Sequence, residues 1–190
     1  MVIDQPEVAT RLRGAFPRTL SVDVEAALKV IPESQHRPSD HDIGPVAIGG
    51  EQLFIPCRIY SPEPNPNLVA VLRETQNRVL DSLYTRHHDG FVRERYLHRL
   101  LDAVDVWIPP FVLQLVGEYV VEIIQVIAAR IPSLRNDRYF RFASENPAFI
   151  SLTRLRVTSY WNCYYRFRHP RLSDYPGFKV MNALQCWEEP

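Results

Sequence analysis

Lysine is nearly absent from this chain: Lys29 and Lys179 are the only two, so 20 of the 22 basic residues are arginine, and 22 Asp plus Glu balance them. With no net charge there is no global field to recruit nucleic acid or an acidic lipid surface, and any such site has to be local. Cysteine is as scarce. Cys57, Cys163 and Cys186 are odd in number and lack a C-x-x-C spacing, which argues against a disulfide framework or a zinc site and makes a reducing cytoplasm the expected compartment. The N-terminal run MVIDQPEVATRLRG lacks the apolar stretch of a signal peptide. The most apolar segment, 111–131, carries Glu118 and Glu122 in its middle. Each charge at a bilayer centre costs roughly 2.5 to 3.5 kcal/mol, so no membrane span is expected. A glycine-rich phosphate loop is missing too, and neither a cofactor nor a bound metal is expected.

What remains is a chain of 190 residues, 46% hydrophobic and 23% charged, enough to bury a substantial core without disulfides. Its organising stretch is 84–131. Asp89 is placed to cap a helix on which Val92, Tyr96, Leu97, Leu100, Leu101 and Val104 recur three and four apart. Pro109 and Pro110 suit the start of a second helix, where a missing N–H does least harm. That helix, 110–131, is apolar on nearly every side and should be the most buried of the chain. Gln114, Glu118, Glu122 and Gln125 interrupt it as one narrow polar stripe.

The flanking segments read more simply. Residues 1–45 form an N-terminal extension with one short helix over 22–31, and 46–190 form a single helical domain. The loop after Pro32 contains His36, Asp40, His41 and Asp42; its turn-forming neighbours make it a solvated loop rather than a metal site. A small β-hairpin occupies 46–60, because Gly49-Gly50 permits the positive φ angles of a two-residue turn. After the proline-stiffened connector 61–67, helices are predicted over 68–86, within 138–147 with its end at Asn146-Pro147, over 148–168 and over 178–187.

The residues HHDGFVRERYLHRLL, with Asp89, then Val92-Arg93, then Leu100, resemble the first helix of a HEAT-type repeat, with 110–131 as the second of the pair. The resemblance implies structural, hydrogen-bonding roles for Asp89 and Arg93; Tyr96 stands where the family has a small residue. The expected fold is therefore mainly α: an antiparallel helical bundle or short HEAT-like stack with a small N-terminal hairpin. Arg93 and His98 also fit the R-x4-H pattern of HEPN-type ribonucleases, similarity to which implies metal-independent RNA cleavage with His98 as acid or base. Five residues apart, the two side chains diverge by roughly 140° around a helix, so such a pair would draw on a second protomer.

Two further constellations are candidates. Glu118 and Glu122 suit a di-metal centre only if neighbouring helices add His or Glu ligands; the reading taken is that they face water or pair with arginines such as Arg154 and Arg156. The segment RLRVTSYWNCYYRFRHPR, 154–171, interleaves arginine with aromatics, a composition that serves protein interfaces and base stacking alike. Tyr160, Trp161, Tyr164, Tyr165 and Phe167 spread around more than half of one helix, more than a single core can cover. Trp161, Tyr165 and Phe167 are assigned to the core, Cys163 is expected to be buried, and Tyr160 or Tyr164 is expected at the surface beside Arg156 or Arg168. The function expected is a non-catalytic, cytoplasmic protein-interaction or regulatory module. Its partner is another protein, a second copy of the chain included, and its binding residues are Arg156, Tyr160, Tyr164, Arg168, Glu118 and Glu122. The alternative is the HEPN-like ribonuclease, and only that alternative calls for RNA.

Overall fold

Gly49 and Gly50 adopt φ values of 58° and 82°, the left-handed conformation that a two-residue hairpin turn requires and that glycine reaches without steric cost. They join β1 (Pro45–Ile48) to β2 (Glu51–Phe54), antiparallel in the register Val46 opposite Leu53. Val46, Ile48 and Leu53 are buried on one face of this pair. The computed structural model describes residues 6–34, 36, 39 and 44–184, and the chain is mainly α, with this hairpin as the two-stranded sheet of the described residues. Two compact units divide it, Met1–Ala103 and Val104–Pro190, where the sequence reading placed a boundary at residue 45.

In the first unit α1 (Pro6–Arg13) and α2 (Ser21–Leu28) precede the hairpin. Only one helix was expected there. Leu12, Ala15, Phe16, Val24, Ala27, Leu28 and Ile31 are all buried, and the Phe54 N–H donates to the Gly14 carbonyl at 2.8 Å, so this segment is part of the unit's core. The helix expected over 68–86 is split into α3 (Pro66–Val69) and α4 (Glu74–Tyr84). Asp23 of α2 accepts from Arg73 Nη2 at 2.8 Å and from Gln76 Nε2 at 3.1 Å, which fixes the start of α4 against α2. The next helix, α5 (Gly90–Leu100), begins at Asp89, whose Oδ1 accepts the Phe91 N–H at 2.8 Å as a helix cap should. Val92, Tyr96, Leu97, Leu100 and Leu101 are buried as their spacing predicts; Val104 lies past the helix end and is exposed.

The second unit contains α6 (Pro109–Val116), α7 (Val121–Ala128), α8 (Ile131–Leu134), α9 (Asp137–Glu145), α10 (Pro147–Tyr160) and α11 (Pro176–Ala183). All eight residues of α6 are buried, and each large apolar side chain such as Phe111 or Leu113 contributes about 1.5 to 3 kcal/mol by leaving water. The single helix expected over 110–131 is corrected here. It breaks at Gly117, where a Cβ would stand 3.3 Å from Thr153 Cγ2 and 3.5 Å from Arg156 Cδ, so α10 passes close to the backbone at this point. Val120 then turns extended, with φ −85° and ψ 98°, before α7 begins. Phe142 and Phe149 meet edge-on at 5.3 Å across the Asn146 turn that joins α9 to α10. No helix among the described residues is long and apolar enough to cross a membrane. Asp40, His41, Asp42, Cys186 and the end of the helix expected over 178–187 lie outside the described residues.

Candidate functional site

The long helix α10 turns Phe149, Thr153 and Val157 inward at four-residue intervals. Its regular winding stops at Tyr160 and continues as a π-helical turn, Trp161–Tyr165. Such widened turns are rare and frequently mark functional positions. This one distributes its aromatics in two directions. Tyr165 turns inward, stacking on the fully buried Tyr175 at 5.5 Å and donating its hydroxyl to the Tyr119 carbonyl. Tyr164 turns outward and stacks on Tyr160 at 6.1 Å, and the Tyr160 ring meets Tyr119 edge-on at 6.3 Å.

The outcome is a continuous row of tyrosine rings running from the core to solvent. Burial pushes the Tyr175 hydroxyl well above the ordinary phenol range, and burial raises Tyr165 as well, with Glu122 adding to the rise and Arg168 opposing it. At the outer end Tyr119 is 56% exposed, Tyr164 66% and Phe167 103%. Beside them Trp161 donates its indole N–H to the His169 carbonyl at 2.8 Å, and the Arg166 guanidinium lies over the Trp161 ring at 5.8 Å. Asn162, Cys163, Tyr164, Arg166, Phe167 and Pro170 line a shallow concavity of about 540 Å³.

The residues proposed from sequence fall in different places. Tyr160 and Arg156 are half-buried, while Tyr164 and Arg168 are exposed, so this part of the expected surface exists with Tyr164 as its outward ring. Trp161 and Tyr165, assigned to the core, are half-buried, and Phe167 is wholly exposed. Cys163 is corrected from buried to exposed, because the π turn shifts the helical phase after Tyr160. Glu118 is buried in the connector after Gly117, and Glu122 is exposed on the first turn of α7, so the two do not form a stripe on one helix. In the first unit Arg93 is 2% exposed and donates from Nη1 to the carbonyls of His87 at 2.8 Å and His88 at 2.9 Å. His98 is exposed, five residues along the same helix, and the two side chains do not converge.

Sequence reasoning missed Tyr119, whose position depends on the break at Gly117; an isolated glycine in a helical pattern was the available signal. It also missed a polar cluster in the first unit. Asp81, on α4, is paired with Arg99 Nη1 at 3.3 Å and its carboxyl is pushed up to about 6, by burial above all and against the pull of that arginine. Arg99 also sits 4.6 Å over the Tyr96 ring, whose hydroxyl burial raises to about 12. Nearby, His87 accepts the Asp89 N–H at Nδ1 (3.1 Å) and donates from Nε2 to the Ser61 carbonyl (3.2 Å). Those two bonds fix the neutral imidazole, and burial with the adjacent His88 holds its pKa down. No group of three or more His, Cys, Asp or Glu among the described residues is placed to hold a metal ion. Compared with protein-family models, curated proteins and solved structures, the chain matches none.

Proposed function

We propose that the chain is a non-catalytic, cytoplasmic protein-interaction module whose docking face is the end of α10, its π turn and Tyr119. The observation that carries this reading is the exposure of Phe167, Tyr164 and Tyr119 together, with Tyr164 stacked on Tyr160 and Tyr119 edge-on to that same ring. Aromatic residues and arginine are the side chains most enriched at binding hot spots. Rings already held in place lose little freedom when a partner arrives. The cytoplasmic part of the reading is supported by the free, exposed thiol of Cys163. HEAT-like ancestry belongs to the same reading and is supported by the capping role of Asp89 and the carbonyl bonds of Arg93. The ribonuclease alternative has no comparable support, since Arg93 is engaged with backbone carbonyls while His98 stands apart at the surface.

Photo-crosslinking tests the reading. Benzoylphenylalanine in place of Phe167 should form a discrete adduct on irradiation of intact cells, whereas the same probe in place of Phe91, 79% exposed in the first unit, should not. An adduct of twice the chain's mass would identify a second copy as the partner. Equal labelling from both positions, or none from 167, would sink the proposal.

A further inference from the structure

The charge of the docking face identifies the kind of partner it fits. Between Glu145 and Asp174 the chain runs 28 residues without a carboxylate, while Arg154, Arg156, Arg166, Arg168 and Arg171 fall within that run. In a chain of zero net charge this is an excess of five positive charges along that stretch, against which the exposed Glu122 of α7, near enough to act on the Tyr165 hydroxyl, sets one negative charge. Arg154 is turned inward to the Met181 carbonyl at 2.8 Å, and Arg166 reaches neutral groups, the Asn162 amide at 3.3 Å and the Trp161 ring. Arg168 and Arg171 are exposed. We infer that the face receives an extended acidic segment of another protein, its carboxylates meeting Arg166, Arg168 and Arg171 and one apolar side chain entering the concavity between Tyr164 and Phe167. This rests on the reading that the face docks a protein.

One feature favours a carboxylate-bearing peptide over single-stranded RNA, whose phosphates would suit the same arginines. Base stacking needs free ring faces. Here Tyr164 and Tyr160 each cover one face of the other, Tyr165 stacks on Tyr175 and Arg166 lies over Trp161, so of these rings Phe167 is the one left open on both sides, where a run of stacked bases would need several. The concavity of about 540 Å³, lined among others by Tyr164, Phe167, Pro170 and Cys163, has room for side chains of an extended segment. Guanidinium groups pair with carboxylates in bidentate geometry, which gives the segment both attraction and register.

The test is selection of a random peptide display library of about 12 residues on the full chain, with counter-selection on the Tyr164→Ala, Phe167→Ala double variant. Both side chains are exposed, and far-UV circular dichroism will verify that the variant is folded. Enriched peptides should be rich in Asp and Glu around one apolar residue. A synthetic representative should lose about tenfold in affinity when its Glu residues become Gln, and about as much against Arg166→Gln, Arg168→Gln. It should also slow alkylation of Cys163, read by peptide mass mapping. Neutral peptides that still require Tyr164 and Phe167 would overturn the acidic partner and leave the docking face standing. If no peptide discriminates the double variant from the parent chain, both fail. Protection of Cys163 by oligouridylate but not by acidic peptide would replace the protein segment with RNA.

Discussion

Asp81→Asn should make this protein more stable at neutral pH. The carboxyl side chain is only 10% exposed and its one ion-pair partner, Arg99, is 49% exposed, so burial outweighs the attraction and the carboxyl is pushed from 3.8 to about 6. A group whose folded pKa is raised in this way is an acid that the folded state keeps protonated. Its stabilising contribution is full below about pH 4, declines as pH rises toward 6, and is gone above that. A shift of about two units corresponds to about 3 kcal/mol, the cost of ionising Asp81 inside the fold at pH 7.5. Asparagine keeps the shape and removes that cost, while Arg99 stays hydrated on its open side and keeps its place over Tyr96. That figure already nets the Arg99 attraction against burial, and after a discount for the solvent that still reaches the pair the expected gain at pH 7.5 is about 1 to 2 kcal/mol, at about 2 to 4 °C in Tm for each kcal/mol. By pH 4 the difference should vanish. Far-UV circular dichroism is the suitable probe, because the described tryptophans, Trp107 and Trp161, belong to the second unit and Asp81 to the first. A variant less stable than the parent at pH 7.5 would show that the Arg99 pair outweighs burial.

His87 works in the opposite direction: its folded pKa is lowered, so its contribution is present above about pH 6.5 and is lost as pH falls below it. In Asp81→Asn, where nothing compensates, Tm should fall between pH 6.5 and 5, and a flat profile would refute the neutral imidazole. Asp89→Ala removes the acceptor for the Phe91 N–H and should cost about 1 kcal/mol, with Asp89→Asn restoring most of it; an unchanged urea midpoint would count against the cap.

The legible parts of this fold are those set by local chemistry. Gly49-Gly50 announces its turn, Asp89 announces a helix start, and the apolarity of 110–116 announces a buried helix, because each signal is complete within a few residues. Where the reading departed from the structure, tertiary packing decides. Gln114, Glu118, Glu122 and Gln125 keep helical spacing, and the lone Gly117 is a weak local sign against one long helix, since an isolated glycine is tolerated inside one. The break comes from Thr153 and Arg156, close to Gly117 in space and about 40 residues away in sequence. Cys163 was expected inside because a regular helix was extended through it, and a π turn is not visible in residue spacing. Asp81 gave no signal at all; its unusual proton affinity depends on how far α4 and α5 bury it, not on its neighbours in the chain.

The break at Gly117 and the π turn after Tyr160 form one arrangement. Because α6 stops where α10 comes closest, the chain turns outward and delivers Tyr119, whose carbonyl accepts the Tyr165 hydroxyl and whose ring meets Tyr160. Tyr165 can reach that carbonyl because the widened turn sends it inward onto Tyr175, and the same turn leaves Tyr164 pointing out. Gly177 permits the close packing beneath: a Cβ there would stand 3.0 Å from Tyr175 Cε1 and 3.2 Å from Val157 Cγ1. Tyr119 and Tyr164 are thus held by residues that lie behind the exposed surface. Ordering cost is what separates surfaces of equal area but unequal affinity, so the quality of this face is set as much by Gly117, Tyr165, Tyr175 and Gly177 behind it as by Tyr164 and Phe167 upon it.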